Sequence, residues 1–215
     1  MEILYLDKRV IVCVKPAGIL STDEEGGLPS LIRKELGDER ACVRTVHRLD
    51  QVVGGLMVLA RSVKAASLLS AQVENRTFEK EYLAVVRGTP AQKQGDMTDL
   101  LGRDKKLHRT YVADAPGKDI AEARLSYRVL AEKDALSLVK IRLHTGRTHQ
   151  IRVQFSSRSL PLVGDKKYGG EETETPIALF SCTLGFTHPE SGETMRFTHL
   201  PPDIYPWNLF DKNIM

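Results

Sequence analysis

Two short runs of β-forming residues open the chain, ILYL at 3–6 and VIVCV at 10–14, and the polar triplet Asp7-Lys8-Arg9 between them predicts a hairpin. Pro16 and Gly18 in KPAGIL fix a loop. Leu28, Leu31, Ile32 and Leu36 then recur at helical spacing, with Pro29 suited to a first turn and Gly37 to an end. The apolar stretch 56–60 reads as a core strand. Ser62 stands where a helix would be capped, and Ala66, Leu69 and Val73 recur three and four residues apart up to about Asn75. TFEKEYLAVVRG alternates and is rich in β-formers, which predicts a strand closing at Gly88 with Tyr82 in its middle. Residues 90–118 read as an excursion of short strands and loops, a kind of segment that often meets a ligand.

In the second half, Ala123, Leu125, Tyr127 and Val129 alternate with Glu122, Arg124, Ser126 and Arg128, the pattern of a half-buried strand. Its partner, LSLVKIRLH, puts Leu136, Leu138, Lys140 and Arg142 on one face and Val139, Ile141 and Leu143 on the other. TGRTHQIRVQF should turn at Gly146 and enter a helix capped by Thr148, burying Ile151 and Phe155 with Arg152 facing out. IALFSCTLGF and TMRFT add two late strands around the turn HPESGE. Strands outnumber helices, their neighbours are hairpin-like, and no repeat or linker interrupts them. The expected class is α+β, with a mostly antiparallel central sheet flanked by helices and loops, in a single domain spanning 1–215.

Composition narrows the classes further. The chain is 41% hydrophobic and 27% charged, with no apolar run near the length of a membrane helix and charges too early for a signal peptide, so a cytoplasmic protein with no membrane partner is expected. Cys13, Cys42 and Cys182 form no CxxC pair and read as small core residues or idle thiols. His144 and His149 miss the spacing of a helical zinc motif, so no metal is expected. Net charge is only +3 but unevenly spread: seven Lys and Arg between 140 and 170 face Asp165 alone, giving +6 there and −3 elsewhere. Such a band points to a polyanionic partner, where a solvated face usually mixes signs.

One carboxylate stands out. HRLD at 47–50 sets Asp50 beside Arg48 and His47, just ahead of Gly54, Gly55 and the strand that anchors the turn. A turn Asp is commonly a cap or a solvated charge. Held rigidly at a strand entrance beside cations, it also suits nucleophilic or acid/base work.

Five motifs carry a resemblance: HRLDxxxxGLMVLAR, FEKEYLAVVRG, LHTGRTHQIRVQF, LPLVGDKKYG and HPESGETMRF, in that order. Together they make the chain resemble an RluA-type pseudouridine synthase from about Ile3 to Pro202, without an N-terminal S4-like module. The resemblance implies a pseudouridine synthase-like fold and isomerisation of uridine to pseudouridine within RNA, ribosomal or transfer, with no cofactor or metal. It implies Asp50 as nucleophilic catalyst, Tyr82 as the aromatic group against the target base, and Arg147 as the cation paired with Asp50. Arg48 would reach into the RNA where the base has left. Arg152, in the basic band, is expected to contact phosphate. A monomer is the default.

That chemistry suits these residue types. The N-glycosidic bond must break and a C–C bond must form at C5 without loss of the base. A carboxylate can add covalently or stabilise a cationic sugar, and an arginine favours its charged form. Stacking a flipped base on an aromatic ring is worth about 1–3 kcal/mol, against a few for extracting it. Blander readings stand beside these. A mid-strand Tyr is more often core, and only its place in EKEYLAVV argues otherwise. Arg147 alone reads as a phosphate contact or surface charge, His47 as a residue that orients the turn, and Lys15 as an exposed loop lysine more readily than an RNA contact. The family often has Thr-Ser where this chain has Val53-Gly54, so a hydroxyl contact is missing. That motivates the alternative of a non-catalytic RNA-binding or RNA-folding protein on the same fold. A metal-dependent phosphoesterase using His144, His149 and Asp165 is the third reading.

Overall fold

A computed structural model describes residues 1–169 and 174–215. In chain order the elements are β1 (Glu2–Leu6), β2 (Val10–Lys15), α1 (Leu28–Glu35), β3 (Arg44–Thr45), β4 (Gly54–Ala60), α2 (Val63–Glu74) and β5 (Glu79–Arg87). They continue with β6 (Gln94–Asp104), β7 (Arg109–Ala113), β8 (Ala121–Lys133), β9 (Leu136–Leu143), α3 (Gln150–Ser156), β10 (Leu179–Thr187) and β11 (Thr194–Thr198). The class is α+β. The chain gathers into two compact units, one of Met1–Lys80 with Phe180–His199, the other of Glu81–Leu179 with Leu200–Met215.

The first unit is built on β4, buried at all seven positions. β2 runs antiparallel to it from Val10↔Ala60 to Lys15↔Gly55, with β1 pairing β2 outside. β10 lies parallel to β4 through Phe180↔Gly54 and Ser181↔Gly55 and pairs antiparallel with β11. Gly55 is required at that crossing: its φ is +125°, and a Cβ there would collide with the Ser181 backbone. Val10, Val12, Leu56, Val58, Leu69, Phe78, Leu184 and Phe186 form the core. α2 joins it through Ala65 and Leu69, and begins where Ser62 accepts a hydrogen bond from Ala65 N–H at 3.1 Å. α1 has Pro29 in its first turn, and Gly37 follows it at φ +65°.

The second unit is an antiparallel run in the order β5, β9, β8, β6, β7. β8 shows the expected alternation through Ala123 and Leu125 before a bulge near Val129. The expectation for 90–118 is corrected: the excursion is a hairpin whose first strand, β6, is eleven residues long. α3 also differs. Its N-cap is His149, in the left-handed region at φ 54°, with no side-chain cap, so Thr148 does not serve. Gln150 instead ties the turn that precedes the helix, its Oε1 accepting from Arg147 N–H at 3.0 Å and from Thr145 Oγ1 at 2.8 Å. Residues 150–155 are all buried, so Arg152 does not face out. None of the described helices is long and apolar enough to cross a membrane.

Candidate functional site

In the first unit the HRLD turn joins β3 to β4, and hydrogen bonds settle its shape. Val53 N–H donates to the Asp50 carbonyl at 3.0 Å, closing the turn. Leu49 is buried at 6% exposure, Asp50 is half-buried, and Arg48 is exposed. His47 accepts Val58 N–H at its Nε2, 3.1 Å away, and packs edge-on to Phe78, so it orients the turn. Burial, reinforced by Lys80, pushes the His47 imidazole down to about 3, which keeps the accepting nitrogen unprotonated. Val53 is buried at 2% exposure and Gly54 is buried at the start of β4.

Lys15 was expected as an exposed loop side chain, and the structure corrects this: it is 0% exposed. Its Nζ donates to the carbonyls of Pro16 at 2.9 Å, Ile19 at 2.7 Å and Gln51 at 3.1 Å. Burial lowers its pKa to about 8, while Asp50 and then Cys13 pull it up. Ser21 also escaped the sequence reading. Its hydroxyl donates to the Leu49 carbonyl at 2.8 Å and accepts Leu49 N–H at 3.1 Å. The available signal was the position of KPAGILS directly after a strand with Pro16 and Gly18 inside it, which marks a tight loop but not where its carbonyls point.

In the second unit Tyr82 lies on β5, paired with Ile141 and 7% exposed. Arg147 is exposed on the loop before α3 and donates from Nε to the Glu122 carbonyl at 3.0 Å. Arg152 is 6% exposed and forms a two-pronged pair with Asp165: Nε to Oδ2 at 2.8 Å, the second nitrogen to Oδ1 at 2.7 Å. Asp165 Oδ1 also accepts Lys167 and Tyr168 N–H at 3.1 Å, pinning the 165–168 turn. The Tyr168 ring lies over the Arg152 and Arg109 guanidiniums, at 5.1 and 5.2 Å. The last glycine of GDKKYGG, Gly170, lies outside the described residues.

The basic band is less available than a count along the sequence suggests. Arg152 pairs with Asp165, Arg158 with Asp99 at 2.9 Å and Lys140 with Glu81 at 3.3 Å. Asp99 and Glu81 come from β6 and β5, outside the 140–170 stretch. The phosphoesterase trio also separates: Asp165 holds Arg152, His149 meets the Tyr168 hydroxyl at 2.7 Å, and His144 meets Ser126 at 2.6 Å. No group of three or more metal-ligating side chains gathers among the described residues.

The family model of RNA pseudouridylate synthases matches residues 9–157. The chain belongs to that family. Its members are isomerases acting on uridine in RNA. Among its relatives is the uncharacterized RNA pseudouridine synthase YhcT of Bacillus subtilis (strain 168), 38% identical over 90% of this chain and 66% of its own length. The ribosomal large subunit pseudouridine synthase D of Neisseria meningitidis serogroup A is 34% identical over 95% of this chain and 59% of its own. The chain thus spans slightly under two thirds of these curated relatives. The solved human RNA pseudouridylate synthase domain containing 1 shares the fold at a TM-score of 0.81 and 24% identity, covering 94% of this chain and 84% of that one.

Proposed function

We propose that this chain isomerises a specific uridine in structured ribosomal or transfer RNA to pseudouridine, with Asp50 as the nucleophilic catalyst. The C1′–N1 bond breaks, the uracil turns, the C1′–C5 bond forms, the C5 hydrogen leaves to solvent and N1 takes a proton. The observation that carries the reading is the Asp50 turn: a half-buried carboxylate whose two neighbours are held by buried polar groups, inside the segment that the family model matches. Tyr82 is proposed as the ring against the base, Arg147 as the cation that the family pairs with the acid, and exposed Arg48 as the side chain entering the RNA. The phosphate contact expected of Arg152 gives way to a different proposal. Its guanidinium is committed to Asp165, so it serves the substrate by holding the 165–168 turn. The protein is proposed to act in the cytoplasm, as a monomer.

RNA carrying tritium at C5 of uridine tests this. Tritium appears in water as product forms, and pseudouridine maps of RNA from cells with and without the gene then identify the site. Binding without tritium release would assign the chain to RNA binding instead.

A further inference from the structure

The loop leaving β2 grips the Asp50 turn on both flanks, with a different group on each. Before Asp50, both backbone polar groups of Leu49 end on the Ser21 hydroxyl, 4% exposed. After it, the Gln51 carbonyl accepts Lys15 Nζ at 3.1 Å and Gly18 N–H at 2.8 Å, and Gln51 Nε2 returns to the Gly18 carbonyl at 3.1 Å. Three carbonyls use all three ammonium donors of Lys15. Burying a charge this way is a costly means of tying a loop, since an amide or hydroxyl would do it with less desolvation. The charge itself therefore needs a reason. The groups that favour its charged form are Asp50 and Cys13, and burial pushes the Cys13 thiol up to about 12, which leaves the Asp50 carboxylate as the charge that favours the ammonium.

We propose that Lys15 and Ser21 are positioning residues that hold the Asp50 carboxylate in place from its two sides, Lys15 only while its amine is protonated. This rests on the assignment of Asp50 as nucleophile. Burial draws the Lys15 ammonium down to about 8, against the pull of Asp50. Above that pH a neutral amine has two N–H groups for three carbonyls, and the Gln51 side of the clamp loosens. Stability moves the other way. The unfolded lysine keeps its proton up to its ordinary 10.5, so between about 8 and 10.5 the unfolded chain binds more protons and unfolding free energy rises with pH. A group that only stabilised the fold would move activity and stability together.

The test is single-turnover tritium release against pH for the wild type, Lys15→Met and Ser21→Ala, with Asp50→Asn alongside. The wild-type rate should fall above about pH 8. Ser21→Ala should be slower by on the order of 10- to 100-fold at unchanged KM while keeping that fall. Lys15→Met should be slower and lose it. If Lys15→Met does not fold, amide exchange decides: Gly18 and Val53 in the wild type must speed up above about pH 8 more than other amides of the first unit. A wild-type rate flat through this range, a fall that survives in Lys15→Met, amides that do not respond, or a Ser21→Ala enzyme at full rate overturns the clamp. Activity in Asp50→Asn overturns instead the assignment beneath it.

Discussion

Burying the Arg152 guanidinium obliges the fold to bury Asp165 beside it, and the two-pronged geometry makes each the other's main compensation. Asp165→Ala should therefore destabilise by about 3–5 kcal/mol, because it strands a buried charge, whereas a double change to Met and Leu should recover much of the loss. Urea unfolding of the wild type and the two variants checks this. His47 gives a second expectation. Its folded pKa of about 3 lies below its ordinary 6.5, so the unfolded chain binds the extra proton between those values and stability is lost as pH falls through that window. In His47→Gln the urea midpoint should respond less to acid over the same range. At this scale the sequence was legible where a residue's neighbours in the chain decide its role, as with Ser62, whose hydroxyl accepts the N–H of Ala65 three residues on. It was illegible where distant backbone does. Nothing in KPAG shows that the Pro16, Ile19 and Gln51 carbonyls converge on Lys15. Nothing in HQIR shows that Asp165 waits for Arg152.

Among the elements, α2 and α3 contrast. α2 is twelve residues long and starts at a hydroxyl that caps Ala65, so Ser62→Ala should cost about 1 kcal/mol. Thr148→Ala should cost α3 nothing in capping, since no side chain caps its first turn. Thermal unfolding of the two variants distinguishes them. The same contrast explains what could be read beforehand. The β1–β2 hairpin, α1, α2 and the late strands carry clear periods and punctuation. α3 is seven residues, buried from 150 to 155, and too short for one face to declare itself. β6 hides because Asp96, Asp99 and Arg103, with Gly95 and Gly102, break its alternation, while its pairing with both β7 and β8 holds it extended.

For the molecule as a whole, charge is the property that the sequence overstated and the structure redistributed. A net +3 with Arg152, Arg158 and Lys140 tied to carboxylates shifts the proposed phosphate binding to exposed side chains of the band such as Arg142. RNA affinity should fall linearly with salt on a log–log plot, and Arg142→Ala should flatten the slope by about one unit, as titrations at several ionic strengths would show. The family was legible because its motifs are local, while each unit's interior had to be seen. Tritium release under single-turnover conditions, comparing the wild type with Asp50→Asn at saturating enzyme, decides whether Asp50 is the nucleophile. Asp50→Asn should bind RNA with near wild-type affinity and release no tritium above background. Release at the wild-type rate would contradict that role.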